Sequence, residues 1–432
     1  MSEIQEKTSP PLSNRSSTSA DTLLEDFAAL RKAIFLDGLI TIASRIRGVG
    51  CTVDVENPFY GSFNLIYAVT FLDGVKWAAR IPLHGVKESF HDSDAKALKS
   101  QALTMRFIKQ NTSIPVPDVI HFDTTFDNAL GAPFLLITWL EGIPIYSAWR
   151  KTSSFDDHTI LDERREKMLR SVGKVMAQLR FLSAPKLGEL DFEPTNDTNE
   201  KLRVKDFQYM HSLHLEEHSE DVMFSDIGPF DHTRDFLSAL EKDSIPDRPL
   251  DDFARGQREL LKIMIDSIPV VEHEKFVLVH PDFDSQNFLV NEEGTVTGVL
   301  DWDGVSTYPR YIGYSRYPGW LTRDWDPLIY NYGENRIPDG KEEDSPETLR
   351  KLRKMYFSIM QEELGEDEAK WTINSHLFEA IEIAARNPMN SSSIITLLLS
   401  VALGKGDLAE EKINILKEKF REALACTTHI IE

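Results

Sequence analysis

The chain has 432 residues, a formal net charge of −22 and 41% hydrophobic side chains. That composition suits a globular protein of two lobes or one large domain and disfavours non-specific binding to nucleic acid or to an anionic membrane. The longest nearly unbroken apolar stretch, residues 394–403, is about half the ~20 residues that a membrane helix needs. Only Cys51 and Cys426 are present. They are far apart and without metal-ligand spacing, which predicts a reducing, cytoplasmic setting and no zinc. Residues 1–21, rich in Ser, Thr and Pro with no apolar centre, predict a disordered tail and not a signal peptide. The excess acid has two readings, a solvated surface or a field that tolerates a cationic small molecule.

In chain order, residues 23–46 carry Leu24, Phe27, Leu30 and Ile34 at helical spacing, and Gly48 and Gly50 end that helix. The loop at 57–64 has one glycine, and the backbone N–H groups around Gly61 and Ser62 can approach an anion. Phe63, Leu65, Tyr67, Val69 and Phe71 then alternate. Asp73-Gly74 makes a tight turn, and Val75, Trp77, Ala79 and Ile81 alternate again, which predicts a hairpin. Lys76, Ala78 and Arg80 share the other face of the return strand, so a cation is presented on one side of a small sheet. A helix over 94–110 places Gln101 on the same face as Leu98, Met105 and Ile108, where a polar side chain needs a hydrogen-bond partner. Pro115 and Pro117 end it. Residues 134–139 read as a buried strand, broken at Glu141-Gly142.

A helix over 164–181 opens the second half, and residues 183–250, with Pro, Asp and Gly throughout, predict loops and short helices. From 309 to 327 the chain is rich in aromatics: Tyr311, Tyr314, Tyr317, Trp320 and Trp325. Such a set can line a pocket for an organic cation or simply pack a core. From Glu347 onward the pattern predicts four helices, with breaks at 390–393 and 404–407.

The stretch 276–303 carries the chemistry. An apolar run, Phe276 to Val279, stops at His280, and Asp282 and Asn287 sit in a polar loop. A second strand follows, then a turn at 291–294, then a third strand ending at Asp301. Asp282, Asn287 and Asp301 can therefore converge. A carboxylate to orient a hydroxyl, with an amide oxygen and a second carboxylate to hold magnesium, is what phosphoryl transfer from ATP requires. The competing reading is that Asp282 and Asn287 only cap a turn. A histidine at a strand end is more often scaffold than catalyst.

With His-Pro-Asp-Phe-Asp-Ser-Gln-Asn and Asp-Trp-Asp-Gly-Val, the chain resembles the aminoglycoside phosphotransferase and choline kinase-like family over about residues 55–330, most closely its fungal members. The resemblance implies Asp282 as catalytic base, Asn287 and Asp301 as magnesium ligands and His280 as the brace of the loop. It implies Arg80 at the position of the phosphate-holding lysine, with Lys76 a poorer substitute nearer the turn, and Gln101 in place of that lysine's usual glutamate. Arg80 and Gln101 are then expected to form a cation-to-amide bond. Gly61 and Ser62 fall in the phosphate loop, Thr138 and Leu140 at the adenine-binding connection.

The expected fold is α+β, two-lobed and protein kinase-like. A small antiparallel-sheet N-lobe spans 22–137 and a mainly helical C-lobe 138–432. The expected function is ATP- and Mg2+-dependent transfer of phosphate to a small-molecule hydroxyl, with no nucleic-acid or membrane partner. The rival is a pseudokinase, drawn from Arg80, Gln101 and the single-glycine loop. Trp302-Asp303 after Asp301, without Phe-Gly, argues against a protein kinase.

Overall fold

The structure, a computed structural model, describes residues 27–403 other than 62, 150–157, 194–200, 211–223, 244–250, 272, 328 and 333–342, together with 418, 420, 421 and 424. Two compact units divide the chain: the first runs to Gln110 and takes in Pro115–Glu141, and the second comprises Asn111–Ile114 and the chain from Gly142 onward.

In the first unit, helices α1 (27–33) and α2 (Leu36–Arg47) precede strands β1 (Cys51–Val53), β2 (Phe59–Tyr60), β3 (Asn64–Phe71) and β4 (Lys76–Pro82). Helix α3 (Asp92–Asn111) and strands β5 (Val119–Asp123) and β6 (Phe134–Thr138) follow. The sheet is antiparallel, in the order β1-β3-β4-β6-β5 with β2 on β3. The alternation in β3 and β4 does what period-two patterning dictates: Leu65, Tyr67, Val69, Trp77, Ala79 and Ile81 fall on one face and form a core with Phe27, Leu30, Leu39 and Ile42 of the two helices. Gly74, at φ 85°, closes the β3–β4 turn, and Asp73 Oδ1 accepts from Val75 N at 3.2 Å.

The single helix expected over 23–46 is two. The chain turns extended at Phe35, whose N–H donates to Leu130 O at 2.9 Å. Gly38 then sets α2 so close to the backbone of Ala129 that a Cβ would lie 1.8 Å from its carbonyl oxygen. Docking against that loop outweighs helix continuity, which periodicity alone cannot show.

The second unit holds β7 (Ile143–Pro144), α4 (Ile145–Trp149), α5 (His158–Met176), β8 (Ser183–Ala184), β9 (Gly188–Glu193), β10 (Lys201–Lys205), β11 (Phe207–Met210) and β12 (Phe224–Ile227). There follow α6 (Thr233–Asp243), α7 (Asp252–Ser267), β13 (Phe276–Val279), β14 (Phe288–Val290), β15 (Val296–Val299) and β16 (Ser306–Pro309). Helices α8 (Pro346–Leu364), α9 (Glu366–Ile373), α10 (Ser375–Arg386) and α11 (Pro388–Leu403) complete it. Its sheets are antiparallel, ordered β10-β9-β16-β13-β8, β11-β12 and β15-β14-β7.

Two expectations are corrected here. The stretch 183–250 is not loops and short helices: β9 and β10 pair from Lys201↔Glu193 to Lys205↔Glu189, burying Leu190 and Phe192. Those short alternations were hidden among charged residues. Residues 390–393 lie inside α11; the break falls at Asn387, where extended backbone caps α10 and Pro388 opens the next helix. The break expected at 404–407 lies outside the described residues. Among those residues, no helix is long and apolar enough to cross a membrane.

Candidate active site

The fully buried β13 delivers His280 with no exposed surface. Its ring stands edge-on to Trp302 at 4.6 Å. Its Nε2 lies 2.7 Å from Leu300 O, and because a carbonyl only accepts, that nitrogen carries the proton and donates. Burial pushes the imidazole pKa down to about 4. The ring is therefore neutral at pH 7 and pins the end of β13 to the residue before Asp301. Arg316 grips the same loop, donating to His280 O at 3.2 Å while pairing with Glu379 at 3.2 Å.

Past His280 the chain makes a single 3₁₀ turn, Ser285–Asn287, capped by Asp284, which accepts from Ser285 N and Oγ. Burial raises the Asp284 pKa. The turn aims two consecutive amides at Asp282: Gln286 Nε2 and Asn287 Nδ2 both donate to its Oδ2, at 2.9 and 2.8 Å. Asn287 Nδ2 also reaches Asp282 O at 2.9 Å. Asn287 O accepts from Leu300 N at 2.8 Å, where Phe288↔Val299 opens the β14–β15 pairing. Asp301 follows directly, at φ 61°. The structure thus brings Asp282, Asn287 and Asp301 to the open end of one hairpin.

This donor set fits a hard divalent cation. Asn287 commits its amide nitrogen to Asp282, leaving the oxygen with no bond to the described residues. Among those residues no group of three His, Cys, Asp or Glu forms a ready-made metal cage. Magnesium held by Asn287 and Asp301 would take its other oxygens from phosphates and water, as Mg2+ usually does.

Asp282 opens onto a cavity of about 380 Å³ whose walls include Phe236, Tyr308, Arg316 and Glu382. A second cavity of about 130 Å³ shares Asp284, Gly319 and Glu379 with it and reaches Trp325 and His376. Most of the aromatic stretch packs. Tyr311 stacks on Phe378 at 4.2 Å, Tyr317 faces Tyr356 at 6.1 Å, and Trp320 meets Phe283 edge-on at 6.0 Å. Of the five, Trp325 lines the second cavity.

In the first unit, Arg80 is buried in the central strand between Ile66 and Leu135. Gln101 is buried on α3, yet its Nε2 has no partner, and no hydrogen bond joins it to Arg80 among the described residues. The expected Arg80–Gln101 bond is therefore not made, and Lys76 instead faces Glu141 at 3.8 Å. Gly61 closes the β2–β3 turn through its N–H to Asn64 O at 2.9 Å, while Ser62 lies outside the described residues. That turn is anchored from its flank. Arg31 donates to Tyr60 Oη at 3.1 Å, Phe27 meets the Tyr60 ring at 5.0 Å, and Phe59 meets Trp139 at 5.5 Å. Thr138 commits its N–H to Asp118 O at 3.0 Å and its Oγ1 to Asp118 N at 2.9 Å. Leu140, just past β6, carries no backbone hydrogen bond among the described residues.

Two contributors escaped the sequence reading. Gln286 stood inside the quoted motif, next to Asn287, and the i, i+4 spacing to Asp282 was its only signal. Arg316, 36 residues beyond His280, left none.

An antiparallel-sheet unit followed by a helix-rich unit carrying His280, Asp282, Asn287 and Asp301 in that order is the architecture of the kinase-like phosphotransferases. The model of the phosphotransferase enzyme family matches residues 61–312, more than half of the chain, and the protein belongs to that family. It is similar to altered inheritance of mitochondria protein 9 of Lodderomyces elongisporus, 21% identical over 75% of this chain and 56% of that protein. The same protein of Kluyveromyces lactis is 23% identical over 78% and 61%. The chain thus spans between 56% and 61% of the length of these relatives. A solved aminoglycoside phosphotransferase is 12% identical, with a TM-score of 0.43 over 91% of this chain and 100% of that one, too distant a likeness to say more.

The names of both curated relatives place them in mitochondria, which overturns the cytoplasmic expectation. A count of two thiols reports on redox conditions and not on an address.

Proposed function

We propose that the protein transfers a phosphoryl group from ATP, held with magnesium, to a hydroxyl of a small molecule lodged in the cavity beside Asp282. The observation that carries this reading is the division of labour in Asn287, whose nitrogen holds Asp282 while its oxygen bonds none of the described residues. Asp282 orients the acceptor hydroxyl and receives its proton. Asn287 and Asp301 hold magnesium, which neutralises charge on the phosphates. His280, neutral and fully buried, keeps Asp301 in place through Leu300. Arg80 steadies the donor phosphates with the backbone around Gly61 and Ser62, and the connection at Thr138 and Leu140 takes the adenine, with Leu140 the position whose backbone groups make no bond among the described residues.

The test is ADP release by purified protein across a panel of hydroxyl compounds, with Asp282→Asn as control. Compound-dependent release that disappears in the control is the expected result. A pseudokinase, which binds nucleotide without turnover, is the second reading, favoured by the unpartnered Gln101. MgATP-dependent thermal stabilisation with no release under any compound would select it.

A further inference from the structure

The geometry points to Gln286 as a positioning residue that decides which oxygen of Asp282 meets the acceptor; this rests on the phosphotransferase reading. A carboxylate turns easily about its last torsion, because sp³–sp² wells are broad, so its orientation is set by what its oxygens bond. Oδ2 accepts from Gln286 Nε2 at 2.9 Å and from Asn287 Nδ2 at 2.8 Å, which fills its two lone pairs. Oδ1 accepts nothing among the described residues, and Asp282 lines the cavity. The two donors have different duties. Asn287 is buried and its oxygen is the candidate metal ligand, so its amide plane answers to the cation as well as to Asp282. Gln286 is exposed and bonds no other side chain. It is the donor whose single contact is the carboxylate, and it keeps Oδ2 turned away while Asn287 adjusts.

Proximity effects are steep in such a geometry, since small misplacements of a reacting group cost large factors in rate. Gln286→Met keeps length but loses the donor. We expect kcat for ADP release from MgATP to fall roughly five- to tenfold, the worth of about one hydrogen bond, with the KM for MgATP and the melting temperature unchanged. Gln286→Glu keeps shape but sets a second carboxylate against Oδ2 and should lower kcat further than the methionine does. A purely structural residue makes the opposite forecast: glutamate, isosteric and exposed, is tolerated, and any loss with methionine follows the melting temperature.

The assay uses the full chain, MgATP and the best acceptor from the panel, or water where none exceeds it. In the Asp282→Asn background, Gln286→Met should have no further effect on kcat. Wild-type kcat in Gln286→Met, or glutamate tolerated better than methionine, overturns the assignment alone. Wild-type kcat in Asp282→Asn, or no release by the wild type at all, overturns the phosphotransferase reading and this inference with it.

Discussion

The β14–β15 hairpin and the β4–α3 pair are the two regions on which the proposed chemistry depends, and they are built differently. In the hairpin His280, Asp282 and Asn287 each make a side-chain hydrogen bond to a nearby part of the motif. Asp282 is held by the two residues at the end of its own turn, Asn287 by the strand opposite, and His280 by the carbonyl before Asp301. In the sheet unit Gln101 lies 21 positions from Arg80 in the chain, and its buried amide nitrogen bonds nothing among the described residues. Contacts made within one turn are fixed by backbone geometry. A contact across elements must be matched in length and charge, and replacing the lysine–glutamate pair by arginine and glutamine removes the charge that would enforce it.

The strongest way to break this contrast is at Asp282. Replacement by asparagine preserves shape and removes the proton acceptor, so turnover should drop by ~10²-fold or more while MgATP affinity, read from KM or calorimetry, holds. At Asp301, alanine should abolish most of the magnesium-dependent stabilisation by nucleotide, which at a hundredfold excess over Kd is about 2.7 kcal/mol. Undiminished thermal shift with MgATP would rule out the metal assignment.

A third test uses acid. His280 is neutral in the fold, with its pKa lowered to about 4, whereas an unfolded histidine titrates near 6.5. Below pH 6.5 the unfolded chain therefore binds a proton that the folded chain refuses, and stability falls between pH 6.5 and 4. At pH 5 that loss is about 2 kcal/mol. His280→Gln, whose amide can also donate to Leu300 O, should flatten the dependence in urea titrations against the wild type. An identical slope would mean the ring is not locked neutral.

The smallest effect is expected in the sheet unit. Gln101→Met removes a buried donor that bonds nothing, so it should be neutral or stabilise by up to about 1 kcal/mol in denaturant melts. A clear destabilisation would reveal a partner for Gln101 and narrow the contrast.

What the sequence disclosed follows the same division. The β3–β4 hairpin and the His280–Asp301 order were legible because period-two alternation, Asp73-Gly74 and motif spacing are all short-range signals. The split of the first helix at Phe35 was not, since it depends on a loop nearly a hundred residues later. The β9–β10 pairing was missed because two buried residues, Leu190 and Phe192, give too short an alternation to stand out among charges. Arg316 was invisible for the same reason as the Gln101 outcome: its partners, His280 and Glu379, are joined to it only by the folded chain.

The backbone of Asp301 has a further consequence. At φ 61° it occupies the left-handed region, which most side-chain-bearing residues enter at a cost of about 1 kcal/mol and which glycine, and to a lesser degree asparagine and aspartate, enter more easily. The residue proposed to bind metal therefore sits where glycine would be the easier fit. Asp301→Gly should make a more stable protein than Asp301→Ala, and both should lack magnesium-dependent nucleotide binding. Glycine would suit folding alone better than aspartate here, so on the proposed metal assignment the carboxylate is kept as a ligand at some cost in stability.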